Sequence, residues 1–139
     1  MDLAEQIAAS RACRALLVTP ALFVAGYRPA PDGPLLRGTS GLTITLRAVA
    51  VLQPQVVSGW DMAANNFQGG PKATRRLAPA GAVYYLHFEG TDAAIQAWVR
   101  DHWMQPVSDR AEDCADGFGL AVFGVWPGAD QLEREVDHA

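Results

Sequence analysis

The stretch from Leu42 to Leu52 reads Leu-Thr-Ile-Thr-Leu-Arg-Ala-Val-Ala-Val-Leu, and it narrows the possible folds more than any other. Leu42, Ile44 and Leu46 alternate with Thr43, Thr45 and Arg47. A period of two is the mark of a β-strand with one face in a core and the other toward water. A sheet covered on one face asks for helices as the second layer. The chain offers two. Asp2 to Arg14 reads as a helix capped by Asp2, with Leu3, Ile7, Ala8 and Cys13 as its apolar stripe. Thr91 caps the other, with Ile95, Trp98, Val99 and His102 at helical spacing.

Further strands are expected at Ala15–Thr19, ended by Pro20 with Ala21–Ala25 as a continuation, at Val56–Trp60, at Ala82–Glu89 and at Leu120–Trp126. Pro29 to Gly41 carries three prolines and three glycines and is a loop. This order predicts an α+β, ferredoxin-like fold: a mainly antiparallel sheet, helices on one face and long loop insertions. Residues 1–14 are read as an N-terminal helix, 15–127 as the ferredoxin-like domain and 128–139 as a polar tail.

Half of the 139 residues are hydrophobic and 19% are charged, which excludes a disordered chain. A domain of this size buries roughly 68–70% of its unfolded surface, enough for a core without staples. Cys13 and Cys114 are too few for a disulfide scaffold or a four-thiolate zinc site. The uncharged stretch from Ala15 up to Arg28 is broken by Pro20 and Gly26 and is too short to span a bilayer. The start lacks the pattern of a secretory leader, so a cytoplasmic protein without membrane contact is expected.

Catalytic constellations are weak. His87, His102 and His138 lack metal-ligand spacing. Cys114 sits beside Asp113 and Asp116, with no cation to activate a thiolate. Ser58 is not in a Gly-x-Ser-x-Gly elbow. The acids from Asp109 to Asp116 lack the pattern of a calcium loop and read as a solvated acidic loop. No enzyme activity, metal or cofactor is expected. Gly117-Phe118-Gly119 reads as a tight turn into a strand. It is open to a second use, because glycines admit a nucleic-acid backbone closely and leave amide donors exposed.

The charge distribution is more telling than the net charge of −4. Lys72, Arg75 and Arg76 form a basic cluster in the run from Asn65 to Gly81, which shows neither helical nor strand periodicity. Ten of the eleven cations in the chain are arginine, whose planar fork suits phosphate and base stacking. Lys72, Arg75 and Arg76 suit successive phosphates, Thr74 adds a hydroxyl, and Trp60 and Phe67 suit stacking on unpaired bases. The same loop suits an acidic protein surface, or no partner at all.

Ser58-Gly59-Trp60-Asp61, Pro71-Lys72-Ala73-Thr74-Arg75-Arg76 and Pro79-Ala80-Gly81-Ala82-Val83-Tyr84 stand in this order. Together they resemble the C-terminal portion of a CRISPR RAMP protein, in particular the third-subunit family of the type III-B effector, the Cmr complex. Leu17-Val18-Thr19-Pro20-Ala21 and Asp116-Gly117-Phe118-Gly119-Leu120-Ala121 extend the resemblance to about Ala15–Trp126. The family usually has Ser where this chain has Ala82.

The resemblance implies a ferredoxin-like RAMP domain and a non-catalytic subunit that grips the 5′ tag of the CRISPR RNA in antiviral defence. Its implied partners are that RNA, the large polymerase-like subunit and the backbone RAMP subunits. Lys72, Thr74, Arg75 and Arg76 would line the tag or a neighbouring subunit. Trp60 would belong to the RNA surface or the core. Gly117 and Gly119 would form a glycine loop against the RNA backbone. The family's full subunit usually has two RAMP-type halves, so this chain corresponds to the C-terminal half. A split gene, a truncated reading frame and a degenerate copy are all compatible with that, and a separate N-terminal half is a further expected partner. The rival readings are a protein-interaction module of the same assembly without RNA contact and, behind it, a small hydrolase.

Overall fold

The computed structural model describes residues 1–51, 53–57, 60–61, 69–71 and 75–127. Helix α1, Leu3–Ser10, opens on a reciprocal cap. The Asp2 carboxylate accepts the Glu5 N–H at 2.9 Å, and the Glu5 carboxylate accepts the Asp2 N–H at 3.2 Å. The helix stops at Arg11, which turns left-handed with φ 56°, and strand β1, Ala12–Leu17, follows at once.

Strand β2 spans Leu42–Ala50, and four short strands follow: β3 Gln55–Val57, β4 Trp60–Asp61, β5 Gly70–Pro71 and β6 Arg75–Leu77. Then come β7 Val83–Gly90, α2 Asp92–His102, β8 Gln105–Pro106, α3 Ala111–Ala115 and β9 Leu120–Val125. The main sheet has the antiparallel order β2-β7-β1-β9-β8. Its four long strands thus lie second, third, first, fourth, the order of a ferredoxin-like sheet. Strands β3 and β6 form one small antiparallel pair beside it, and β4 and β5 another.

Period-two sequence became a one-sided sheet, as expected. Cys13, Ala15 and Leu17 of β1, Tyr84, Leu86 and Phe88 of β7, and Ala121 and Phe123 of β9 are buried. Arg14 and Leu16, one step off, stay exposed. Helices α1 and α2 pack against each other over the buried face, with Ile7, Ile95, Trp98 and Val99 inside. Trp98 sits in an aromatic cluster, 5.2 Å from Phe88 and 5.1 Å from Phe123 between ring centres, and stacks on His102 at 4.4 Å. Among the described residues, no helix is long and apolar enough to cross a membrane.

Several local expectations are corrected. The first helix ends at Ser10 rather than Arg14, because the chain gains strand partners instead, β7 from Ala12 onward and β9 from Cys13 onward. Cys13 therefore belongs to the sheet's inner face and not to a helical stripe; burial pushes its thiol pKa well up. Helix α1 contributes Ala4, Ile7 and Ala8 to the core of the sheet. Beyond Pro20 no strand continues through Ala25; Ala21 makes a single bridge to Ala78. Of the strand expected at Val56–Trp60, Val56 and Val57 fall in β3 and Trp60 in β4, which pair with different partners, while Ser58 and Gly59 lie outside the described residues. The run from Asn65 to Gly81 was expected to be irregular, yet β5 and β6 lie within it. The tail, 128–139, lies outside the described residues.

Phe88 is fully buried against Trp98, so Phe88→Ala should lower the unfolding free energy by about 3–5 kcal/mol in a urea melt. Thr91 accepts the Ala94 N–H at 3.2 Å as the cap of α2, and Thr91→Ala should cost about 1 kcal/mol in the same assay.

Candidate nucleic-acid interface

A groove of about 500 Å³ opens between the loop Phe23–Gly26 and strand β6. Arg75, Arg76 and Arg110 line it. Both walls are held by one short segment, Ser108 to Asp113, through its inward-turned Ser108, Asp109 and Asp113. Fully buried Ser108 accepts the Leu22 N–H at 3.0 Å and donates to the Phe118 carbonyl at 2.8 Å. The Asp109 carboxylate accepts the N–H groups of Val24 at 2.8 Å and Ala30 at 3.0 Å. The Tyr84 hydroxyl, raised in pKa by burial and secondarily by Asp109, donates to the Tyr27 carbonyl. One wall is thereby fixed by side-chain bonds to its backbone.

The other wall is fixed through charge. Asp113, with a side chain only 7% exposed, meets Arg75 in a two-pronged ion pair, 2.9 Å from Nη1 to Oδ1 and 2.8 Å from Nη2 to Oδ2. Those hydrogen bonds hold the Arg75 guanidinium more firmly protonated. Arg76, the next residue along the strand, is exposed and has no acidic partner among the described residues. Arg110 reaches Glu112 only at 4.0 Å, both of them exposed, a contact of little energy. Two of the three groove cations are therefore free to meet an anion.

The glycine turn leads directly into β9, as the sequence reads. The N–H groups of Gly117, Phe118 and Gly119 are donated to the Cys114 carbonyl, the Asp113 carbonyl and the Thr19 hydroxyl, at 3.0, 3.1 and 3.1 Å. The Thr19 hydroxyl also accepts from Leu120 at 2.9 Å and donates to the Gly117 carbonyl at 2.8 Å. The expectation of exposed amide donors is corrected, because the protein uses all three. Gly119 is buried, whereas the space beside Gly117 is open.

The structure brings Arg75 and Arg76 into one groove. Lys72, Thr74 and Phe67 lie outside the described residues, and of Trp60 only the strand position in β4 is described. The acidic stretch is not a solvated loop: Asp109 and Asp113 are tied inside, and Ala111–Ala115 is helical. Burial and then Asp113 raise the pKa of the Cys114 thiol, which donates to the Ser108 carbonyl at 3.2 Å. No group of three or more His, Cys, Asp or Glu that would suit a metal occurs among the described residues. Sequence reasoning missed Arg110 and the Phe23–Gly26 wall. Arg110 was masked by its acidic neighbours, and nothing local links a loop at 23 to a strand at 75.

A family model described as CRISPR-associated protein (Cas_Cmr3) matches residues 2–126. No curated protein matches the chain.

Asp113→Ala should destabilise the fold by about 1–3 kcal/mol in a denaturant melt, less than a fully buried pair would lose because Arg75 reaches water. Gly119→Ala should be the more harmful of the two glycine changes. Both residues have φ of +84°, a strain of roughly 1–2 kcal/mol for alanine, but at position 119 a Cβ would also lie 2.9 Å from the Ser108 hydroxyl. Comparing the thermal midpoints of Gly117→Ala and Gly119→Ala checks this.

Proposed function

The chain belongs to the CRISPR-associated Cas_Cmr3 family, a RAMP family of type III-B systems, and so is a Cmr-complex subunit in CRISPR defence; from that premise we propose that it is a non-catalytic RNA-binding subunit. In this reading it grips the 5′ tag of the CRISPR RNA and docks beside the large subunit and the backbone RAMP subunits in the cytoplasm. The observation that carries the RNA role is the groove, where Arg76 and Arg110 lack a close acidic partner among the described residues. Phosphates attract such arginines through charge-assisted, often two-pronged hydrogen bonds. The overall charge of −4 does not oppose this, since the field at a face depends on the charges that line it.

A protein-docking role without RNA contact draws on a different observation. Val24, 73% exposed, and Val56, 63% exposed, are large apolar side chains left in water, and Val24 lines the groove. Such side chains suit a protein partner better than a phosphate chain.

The two readings part in a reconstituted effector complex carrying tagged CRISPR RNA. Photocrosslinking from the tag should reach this subunit, and Arg76→Ala/Arg110→Ala should weaken tag binding by about tenfold or more. Full crosslinking and affinity in the double variant, with assembly intact, would remove the groove from the RNA path. Loss of assembly upon Val24→Asp, with RNA affinity of the free chain unchanged, would favour the docking role.

A further inference from the structure

We propose that the groove holds a single-strand phosphodiester between Arg76 and Arg110, and that Arg75 and Asp113 are positioning residues that set the distance between those two cations. The inference rests on the RNA-binding reading and assigns a different task to each arginine within it.

Adjacent arginines on a strand are usually credited with the same role. Here their surroundings differ. Both oxygens of Asp113 already occupy the Arg75 guanidinium, at 2.9 and 2.8 Å. The pair is neutral as a unit, and a phosphate competing for Arg75 would have to leave a nearly buried carboxylate without its cation. Arg76 has no such partner among the described residues, and Arg110 has only the 4.0 Å contact with exposed Glu112.

The covalent arrangement makes the ion pair a ruler. Arg110 is the N-cap residue of α3, and Asp113 lies three residues on, within that one-turn helix. Arg75 and Arg76 are neighbours on β6. The Asp113–Arg75 bridge thus ties the element carrying Arg110 to the strand carrying Arg76. On the same segment, Asp109 ties the opposite wall through Val24 and Ala30. Three carboxylates stand near this site. Asp113 is neutralised by its arginine, Asp109 is occupied by two backbone N–H groups, and Glu112, 4.0 Å from Arg110, is exposed and screened by water. The wall at Phe23–Gly26 adds the apolar Val24 and the side-chain-free Gly26, where a sugar-phosphate chain can approach closely.

The test is salt-dependent binding of a fluorescent single-stranded RNA to the full chain. Each phosphate contact contributes about 0.7 to the slope of log affinity against log salt for a single strand. Arg76→Ala and Arg110→Ala should each lower the slope by about 0.7, and the double variant by about 1.4. Arg75→Ala should weaken binding, and the exchanged pair Arg75→Asp/Asp113→Arg should restore affinity and slope to near the wild-type values. A ligand role for Arg75 would leave the exchanged pair as weak as Arg75→Ala, and that result overturns the positioning assignment, provided circular dichroism shows both variants folded. Unchanged slopes in Arg76→Ala and Arg110→Ala overturn the phosphate seat even if the wild type binds RNA. Absence of binding by the wild-type chain at low salt also overturns the seat. The tag crosslink in the assembled complex tests the broader RNA reading separately.

Discussion

A carboxylate taken out of water must find a cation, and that requirement at Asp113 organises the groove side of this molecule. The desolvation of a lone ion amounts to several kcal/mol, so Asp113 is tolerable inside only because Arg75 meets both of its oxygens. The bridge spans 38 positions of sequence and joins a one-turn helix to a three-residue strand. Neither element is long enough to be stable alone. Their mutual placement comes from the ion pair and from the polar bonds around it, with Ser108 and Thr19 fixing the turn that leads into β9.

The main sheet supplies what such a bridge cannot. Strands β7, β1 and β9 bury one face under α1 and α2, and the Trp98 cluster ties the two layers. That apolar core resists deformation as a close-packed interior does. The groove stands on this frame, through Tyr84 reaching from β7 to the Tyr27 carbonyl and through the bridge between Ala21 and Ala78. The frame and the groove thus rest on different chemistry. The frame is held by burial, the groove by satisfied polar groups at its margin.

Within the groove, charge alone does not define a ligand. Three arginines line it, yet one is spent on structure and two remain available. A count of cations along Lys72–Arg76 treats Arg75 and Arg76 as equivalent. The chain belongs to the Cas_Cmr3 family, and the ion pair sets the surroundings of Arg75 apart from those of Arg76 and Arg110.

The sequence by itself determined the fold class, because alternation at Leu42–Leu46 and helical spacing from Ile95 to His102 are local patterns that bury one face whatever surrounds them. It also marked Arg75 and Arg76, since a run of cations is visible without coordinates. It placed the end of α1 too late and left Asp109 and Asp113 in solvent, because both depend on partners far along the chain. Ala12–Arg14 became strand when β7 and β9 offered hydrogen bonds on either side. Asp113 went inside when β6 brought Arg75 to it, and Arg110 became part of a groove when loop 23–26 was drawn in by Asp109. Local periodicity encodes which face is buried; only the tertiary structure decides which charges meet, because that depends on distances between segments that no local pattern records.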